Sequence, residues 1–297
     1  MLNEQRIIES LKQSFSIPGG IGDDAAIFGN YVITKDLLVE DVHFRRSYVD
    51  AISLGYKALQ VNLSDLAAMG AKPAYVLLGI SIPKDCEQYI EEFLASFANA
   101  CHQENVQLIG GDTTASPDKL YISVTAIGIT SKPKLRSGAK IGDIICVVGN
   151  LGHAHLGFTA LENNLEGFDE FKTAFLRPKA KIKEGIWLGS QKAVTAMMDV
   201  SDGLTTDLNK LCKASDISAE IDIINFQKNI PIETILTGGE DYALLITVDS
   251  NQYDKLVAEA DFSIQKIGKI IEGESGEVTF KQDIAIKLKK FSHFGEL

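Results

Sequence analysis

At 297 residues, with 45% apolar and 23% charged side chains, the chain is too long for a stapled mini-protein and long enough for one or two cored domains. Its 40 acidic and 29 basic residues leave a formal charge of −11, which repels a phosphate backbone or an anionic membrane face and argues against nucleic-acid or membrane partners. The longest apolar run, Ala74 to Pro83, is half of the roughly 20 residues that a spanning helix needs.

The opening MLNEQRIIES carries Glu4 and Glu9 and no apolar core, so it does not read as a signal peptide, and a cytoplasmic location is expected. Asn3 to Phe15 places Ile7, Ile8, Leu11 and Phe15 on one helical face, ahead of an Ile17-Pro18-Gly19-Gly20 break. The pattern then predicts a strand over Tyr31 to Val39, a helix over Ile52 to Met69, a buried strand over Ala74 to Ile82, a helix over Glu87 to Gln103 and a strand over Tyr121 to Thr130. Ser131 to Asp143 (SKPKLRSGAKIGD) is basic, lacks apolar period and is the best place for a domain boundary, so domains of 1–135 and 136–297 are expected. A second half follows: a strand at Ile144 to Val148, helices at Leu156 to Leu161, Ala180 to Leu188 and Leu204 to Lys213, and strands near Ala219 to Ile224, Tyr242 to Val248 and Ile264 to Ile270. The fold class is mixed α/β in two similar-sized halves. Cys86, Cys101, Cys146 and Cys212 are far apart, with no CxxC pair, and read as reduced core thiols.

Five segments set aspartates beside apolar runs, and they are read as loops: Gly22-Asp23-Asp24, Thr34-Lys35-Asp36, the Asn62 to Gly70 run with Asp65, Gly110-Gly111-Asp112, and Asp199-Val200-Ser201-Asp202. Singly, each suits a turn or a helix cap. Asp65 falls inside an otherwise apolar helical run, where an unpaired carboxylate is costly to bury and calls for a cation. There is no GxxxxGK[ST] loop, no HRD or DFG kinase set and no GxSxG elbow. Gly20 to Ala25 fits a loose GxGxxG/A pattern, but no strand precedes it and two aspartates stand where a pyrophosphate would sit. Arg136-Ser137-Gly138-Ala139-Lys140 is either a phosphate contact or a solvated basic linker. His153 and His155 lack a third zinc ligand at a recognisable spacing.

Taken in order and together, the motifs are more specific than any one of them. Gly20 to Ala25, Leu54 to Gly70, Leu108 to Thr114, Arg136 to Lys140, Phe175-Leu176-Arg177-Pro178, Asp199 to Leu204 and Gly238-Gly239-Glu240-Asp241-Tyr242 resemble the thiamine-monophosphate kinase family. The resemblance implies the two-domain fold of aminoimidazole ribonucleotide synthetase, with N-terminal halves pairing in a homodimer and a C-terminal α/β domain. It implies Asp24, Thr34, Asp36, Asp65, Asp112, Asp199 and Asp202 as ligands of several Mg²⁺ ions, and Gly111, Asp112, Arg136 and Ser201 as contacts to ATP. His43, Glu240 and Phe291 are implied as contacts to thiamine monophosphate.

The sequence departs from the family in three places. Lys35 replaces a second hydroxyl residue, Asp41 stands where glycine is favoured ahead of His43, and Ala243 replaces a common glutamate. The implied reaction is phosphorylation of thiamine monophosphate by ATP, yielding thiamine diphosphate and ADP. The acceptor phosphate is already anionic, so no catalytic base is expected, and charge neutralisation with in-line positioning suffices. Two other readings stay open: another ATP-dependent enzyme of the same fold, and a non-enzymatic Mg-nucleotide-binding homologue.

Overall fold

The computed structural model describes residues 6–8, 10–11 and 21–283. A first sheet is built from β1 (Ala26–Phe28), β2 (Tyr31–Val39), β3 (Lys72–Ile82), β4 (Gln107–Ala115) and β5 (Tyr121–Ile129), in the order β1-β2-β5-β3-β4. All neighbours are antiparallel except β3 and β4, which run parallel. Helices α1 (Ala51–Ala68) and α2 (Glu87–Gln103) cover one face of this sheet and close a core around Val32, Leu54, Val76, Phe93, Phe97 and Val124. Period-2 alternation on β2 and β5 sends Val32, Thr34 and Leu38, with Ile122, Val124 and Ala126, toward that core. The other face carries Tyr31, Lys35 and Leu37 to solvent. Asp50 starts α1 as an N-cap, accepting from the Ser53 backbone N–H at 2.8 Å and the Ser53 hydroxyl at 2.7 Å.

The second sheet takes the order β11-β8-β10-β6-β9-β7, from β6 (Ile144–Val148), β7 (Val194–Val200), β8 (Ser218–Ile221), β9 (Ala243–Val248), β10 (Gln265–Ile271) and β11 (Val278–Phe280). Helices α3 (His153–Glu162), α4 (Asp169–Leu176), α5 (Ile182–Ser190), α6 (Leu204–Ser215), α7 (Ile232–Thr237) and α8 (Tyr253–Glu259) accompany it. Its central strands are buried on both faces. Ala243 and Leu245 of β9 join a core with Met198, Leu208 and Ile270, while Leu244 and Ile246 join one with Met197 and Leu188.

The two halves interlock instead of merely touching. Ala67 and Ala68 at the end of α1 enter a core of the second sheet, and Phe175 and Ala180 enter the core of the first. A Cβ on Gly185 of α5 would lie 2.3 Å from the Ala67 carbonyl oxygen, so this crossing of α1 and α5 admits only glycine. The four thiols are buried and free, and burial pushes those of Cys146 and Cys212 up to about 12. Among the described residues no helix is long and apolar enough to cross a membrane.

The elements predicted from Tyr31 onward are present with ends shifted by a few residues, while β1, β4, β7, β11, α4, α7 and α8 were not read; of the helix predicted over Asn3 to Phe15, only residues 6–8 and 10–11 are described, and they are helical. The larger correction concerns the aspartate segments. Of the supposed loops, Gly110-Gly111-Asp112 is the middle of β4, Asp36 lies within β2 and Asp199 closes β7. Carboxylates that face a cation site or solvent do not interrupt a strand, because the ladder uses only backbone groups.

Candidate functional site between the two halves

The site is assembled along the seam between the halves, and α1 is its spine. The i, i+3 pair Asn62 and Asp65 faces β2. The Asn62 amide oxygen accepts the Asp36 backbone N–H at 3.1 Å, and the Thr34 hydroxyl donates to the Asp65 carboxylate. Ser64 faces the other way and donates to Asp199 Oδ2 at 2.5 Å, so a single helical turn organises carboxylates from both sheets. Lys35, between Thr34 and Asp36, points to the opposite face and donates to the Ser123 hydroxyl at 2.6 Å. Its replacement of a hydroxyl residue therefore leaves the Thr34 and Asp36 side untouched.

One carboxylate oxygen each from Asp24, Asp65 and Asp199 lies within 4.8 Å of the others. Burial, then the charges of Asp36, Asp199 and Asp24, hold the Asp65 carboxyl well above the ordinary range. Burial, then Asp24, does the same for Asp199. Asp36 is raised to about 6 by burial and by Asp202, which links the loop after β7 to the same field. Arg136 clamps Asp24 with two bonds, Nη2 to Oδ1 at 2.8 Å and Nε to Oδ2 at 3.3 Å. Burial opposes that guanidinium's charge, but the attraction of Asp24 outweighs it and raises its pKa. This one cation does not balance the cluster. The donors are all oxygen and mostly carboxylate, the set that suits hard divalent cations such as Mg²⁺.

The loop after β7 is held by a residue that the sequence did not single out. Asp207, fully buried on α6, accepts the backbone N–H groups of Ser201 at 3.0 Å and Asp202 at 2.9 Å. Lys210 bridges Asp202 at 2.5 Å and Asp207 at 2.8 Å. The Gly238 to Tyr242 loop is stitched alongside: Glu240 N–H donates to the Ser201 carbonyl at 2.8 Å, and Tyr242 N–H to that of Val200 at 2.9 Å. Both residues take positive φ, 65° and 50°, a conformation that ordinary side chains adopt only when their surroundings hold it. Between them Asp241 turns back to cap α3, accepting from Gly152 N–H at 2.5 Å and Ala154 N–H at 3.0 Å.

Asp24, Thr34, Asp36, Asp65, Asp199 and Asp202 thus lie along one seam, with Arg136, Ser201 and Glu240 beside them. His43 sits in the turn after β2, its Nδ1 accepting the Val39 N–H at 3.0 Å. Asp41 in that turn has φ 69°, the region where glycine enters most cheaply and aspartate is tolerated, and it pairs with Lys119. Gly111 and Asp112 lie on exposed β4, and Asp112 is outside the close carboxylate group. Phe291 falls outside the described residues. His153 packs on the Phe171 ring and meets Gln227, and no metal-ligating group among the described residues includes it. Sequence reasoning missed Ser64, Asn62, Asp207, Lys210 and Lys57. Only Lys57 left a signal, a lysine within a run otherwise apolar enough for a core helix.

Two such halves joined by an acidic seam define an AIR synthase related protein, whose N-terminal domain model matches residues 22–130 and whose C-terminal domain model matches residues 140–281. Curated relatives narrow the class. A thiamine-monophosphate kinase of Bacillus subtilis is 34% identical over 307 aligned positions, covering 94% of each chain, and that of Aquifex aeolicus is 34% identical over 315, covering 99% of this chain and 98% of the relative. A solved structure described as AaThiL complexed with AMPPCP and TMP superposes with a TM-score of 0.88 at 32% identity, covering 99% of this chain and 97% of that one. The chain belongs to the thiamine-monophosphate kinase family.

Proposed function

We infer that the chain transfers the terminal phosphoryl group of ATP to thiamine monophosphate, releasing thiamine diphosphate and ADP. The observation that carries this reading is the meeting of Asp24, Asp65 and Asp199 in a partly buried seam, in a chain so similar to a kinase solved with an ATP analogue. We propose Asp24, Thr34, Asp36, Asp65, Asp112, Asp199 and Asp202 as the residues that hold Mg²⁺, more than one ion, which when bound supplies the positive charge that two polyanionic substrates need. Gly111, Asp112, Arg136 and Ser201 are proposed to contact ATP, and His43, Glu240 and Phe291 to contact thiamine monophosphate.

The chain's own residues provide positioning. Asp207 aims the Ser201 and Asp202 backbone, Ser64 fixes Asp199, and Arg136 holds Asp24 by its fork. No side chain needs to take a proton, since the attacking oxygen belongs to a phosphate that is already ionised near neutrality.

We further propose a domain division between 135 and 136, supported by the absence of helix or strand from residues 131–143. A cytoplasmic location is proposed, and the four free, buried thiols accord with a reducing compartment. A homodimer is proposed through the first sheet, where Leu108 and Ile109 of the edge strand β4, with Leu37 of β2 and Tyr121 of β5, are exposed apolar side chains of a kind that monomers rarely leave bare in number. The test of function is incubation with ATP, Mg²⁺ and thiamine monophosphate, with unphosphorylated thiamine as the control acceptor, followed by chromatography. Thiamine diphosphate formed only from the monophosphate is expected. Measurable Mg-ATP binding without product would point to the non-enzymatic homologue.

A further inference from the structure

Lys57 lies in the middle of α1 and is 1% exposed, yet it carries an ammonium group. Its Nζ donates to the Phe175 carbonyl at 3.1 Å, stands 3.7 Å above the centre of the Phe175 ring and pairs with Glu240 Oε2 at 3.2 Å. Burial pushes the Lys57 pKa down and Glu240 draws it back up. Among the described residues Glu240 is its one carboxylate partner. A buried ammonium so placed is strongly tied to that partner, because truncating either one strands the other.

Glu240 is held at both ends. Its backbone N–H is bonded to Ser201 of the second half, and its carboxylate is pinned by a helix of the first half. His155 also faces it; burial lowers the imidazole's pKa and disfavours a second cation there, while Asp241 and Tyr242 flank it in sequence. The Glu240 side chain remains 28% exposed, so a ligand can reach it, whereas Lys57 is sealed beneath.

We propose that Lys57 is a positioning residue: it fixes the Glu240 carboxylate for contact with thiamine monophosphate, and so sets affinity for that substrate and not for ATP. This rests on the kinase reading and on Glu240 as a substrate contact. Steady-state kinetics and calorimetric binding of thiamine monophosphate are compared for the wild type, Lys57→Met, Glu240→Gln and the double variant. Lys57→Gln, which keeps a donor for the Phe175 carbonyl and removes only the charge, is read alongside in case the methionine variant does not fold. The expected result is a tenfold or larger rise in KM and Kd for thiamine monophosphate in each single variant, with KM for ATP within twofold of wild type. The double variant is expected to be no worse than either single one. Equal rises in both KM values, a loss of melting temperature alone, or multiplying effects in the double variant would overturn the role. Wild-type protein that makes no thiamine diphosphate would sink the kinase reading together with it, whereas wild-type turnover with unshifted variants sinks only the role of Lys57.

Discussion

The carboxylates of the seam and the carboxylate of β4 stand in opposite environments. Asp24, Asp65 and Asp199 meet at the seam, Asp24 and Asp65 half-buried and Asp199 buried, each held by a side chain from another element: Arg136, Thr34 and Ser64. Asp112 lies on the outer strand of the first sheet, exposed, opposite Gly79 of β3 and flanked by Leu108 at 51% and Ile109 at 54% exposure. Gly111 before it is packed so tightly that a Cβ would fall 1.9 Å from the Leu78 carbonyl oxygen. The three seam carboxylates are thus brought together within one chain, while the β4 surface is uncovered. In the proposed enzyme, the first region needs a counter-charge, and the second needs both a partner surface and the ligand that Gly111 and Asp112 are proposed to meet.

The largest expected effect is at the seam. Asp65→Asn should lower turnover on the order of 100-fold or more, since it removes an anionic ligand from the group proposed to hold the Mg²⁺ that neutralises the phosphates. The same change should raise the melting temperature of protein stripped of divalent ions, because it relieves repulsion among buried carboxylates. Near-normal turnover at saturating Mg²⁺, or a lowered melting temperature, would count against that assignment.

A second test moves to β4. Leu108→Lys with Ile109→Lys should shift the sedimentation of the proposed dimer to that of a monomer while leaving the fold intact by circular dichroism, as both side chains are already exposed. A wild-type protein that sediments as a monomer would end the proposal of pairing on this face.

The smallest expected effect is a pH dependence at the seam. With its pKa raised to about 6, Asp36 binds its proton more tightly in the folded chain than the unfolded chain does at about 3.9. Between about pH 4 and 6 the native state therefore holds more protons, and its stability falls as pH rises. In metal-free thermal melts, Asp36→Asn should flatten this slope. Equal slopes in wild type and Asp36→Asn would contradict the burial argument.

The sequence by itself determined the mixed α/β class, the alternation that makes β2 and β5 half-buried, the apolar run of α1 and the membership of Asp65 in a helix. Each of these depends on local periodicity, which hydrophobic burial reads directly. Only the tertiary structure decided that Asn62 and Asp65 face one sheet while Ser64 faces the other, and that Lys35 turns away from Thr34 and Asp36. It also decided that Gly110 to Asp112 is a strand. Glycines and an aspartate there have low strand propensity, and pairing with β3 overrode it. Asp207, Lys210 and Lys57 stayed hidden for a related reason. A charged residue on a helix reads as a solvated face until the fold shows what buries it: Asp207 and Lys210 pair one turn apart and with the Ser201–Asp202 loop once α6 packs, and Lys57 meets Glu240 from 183 positions away.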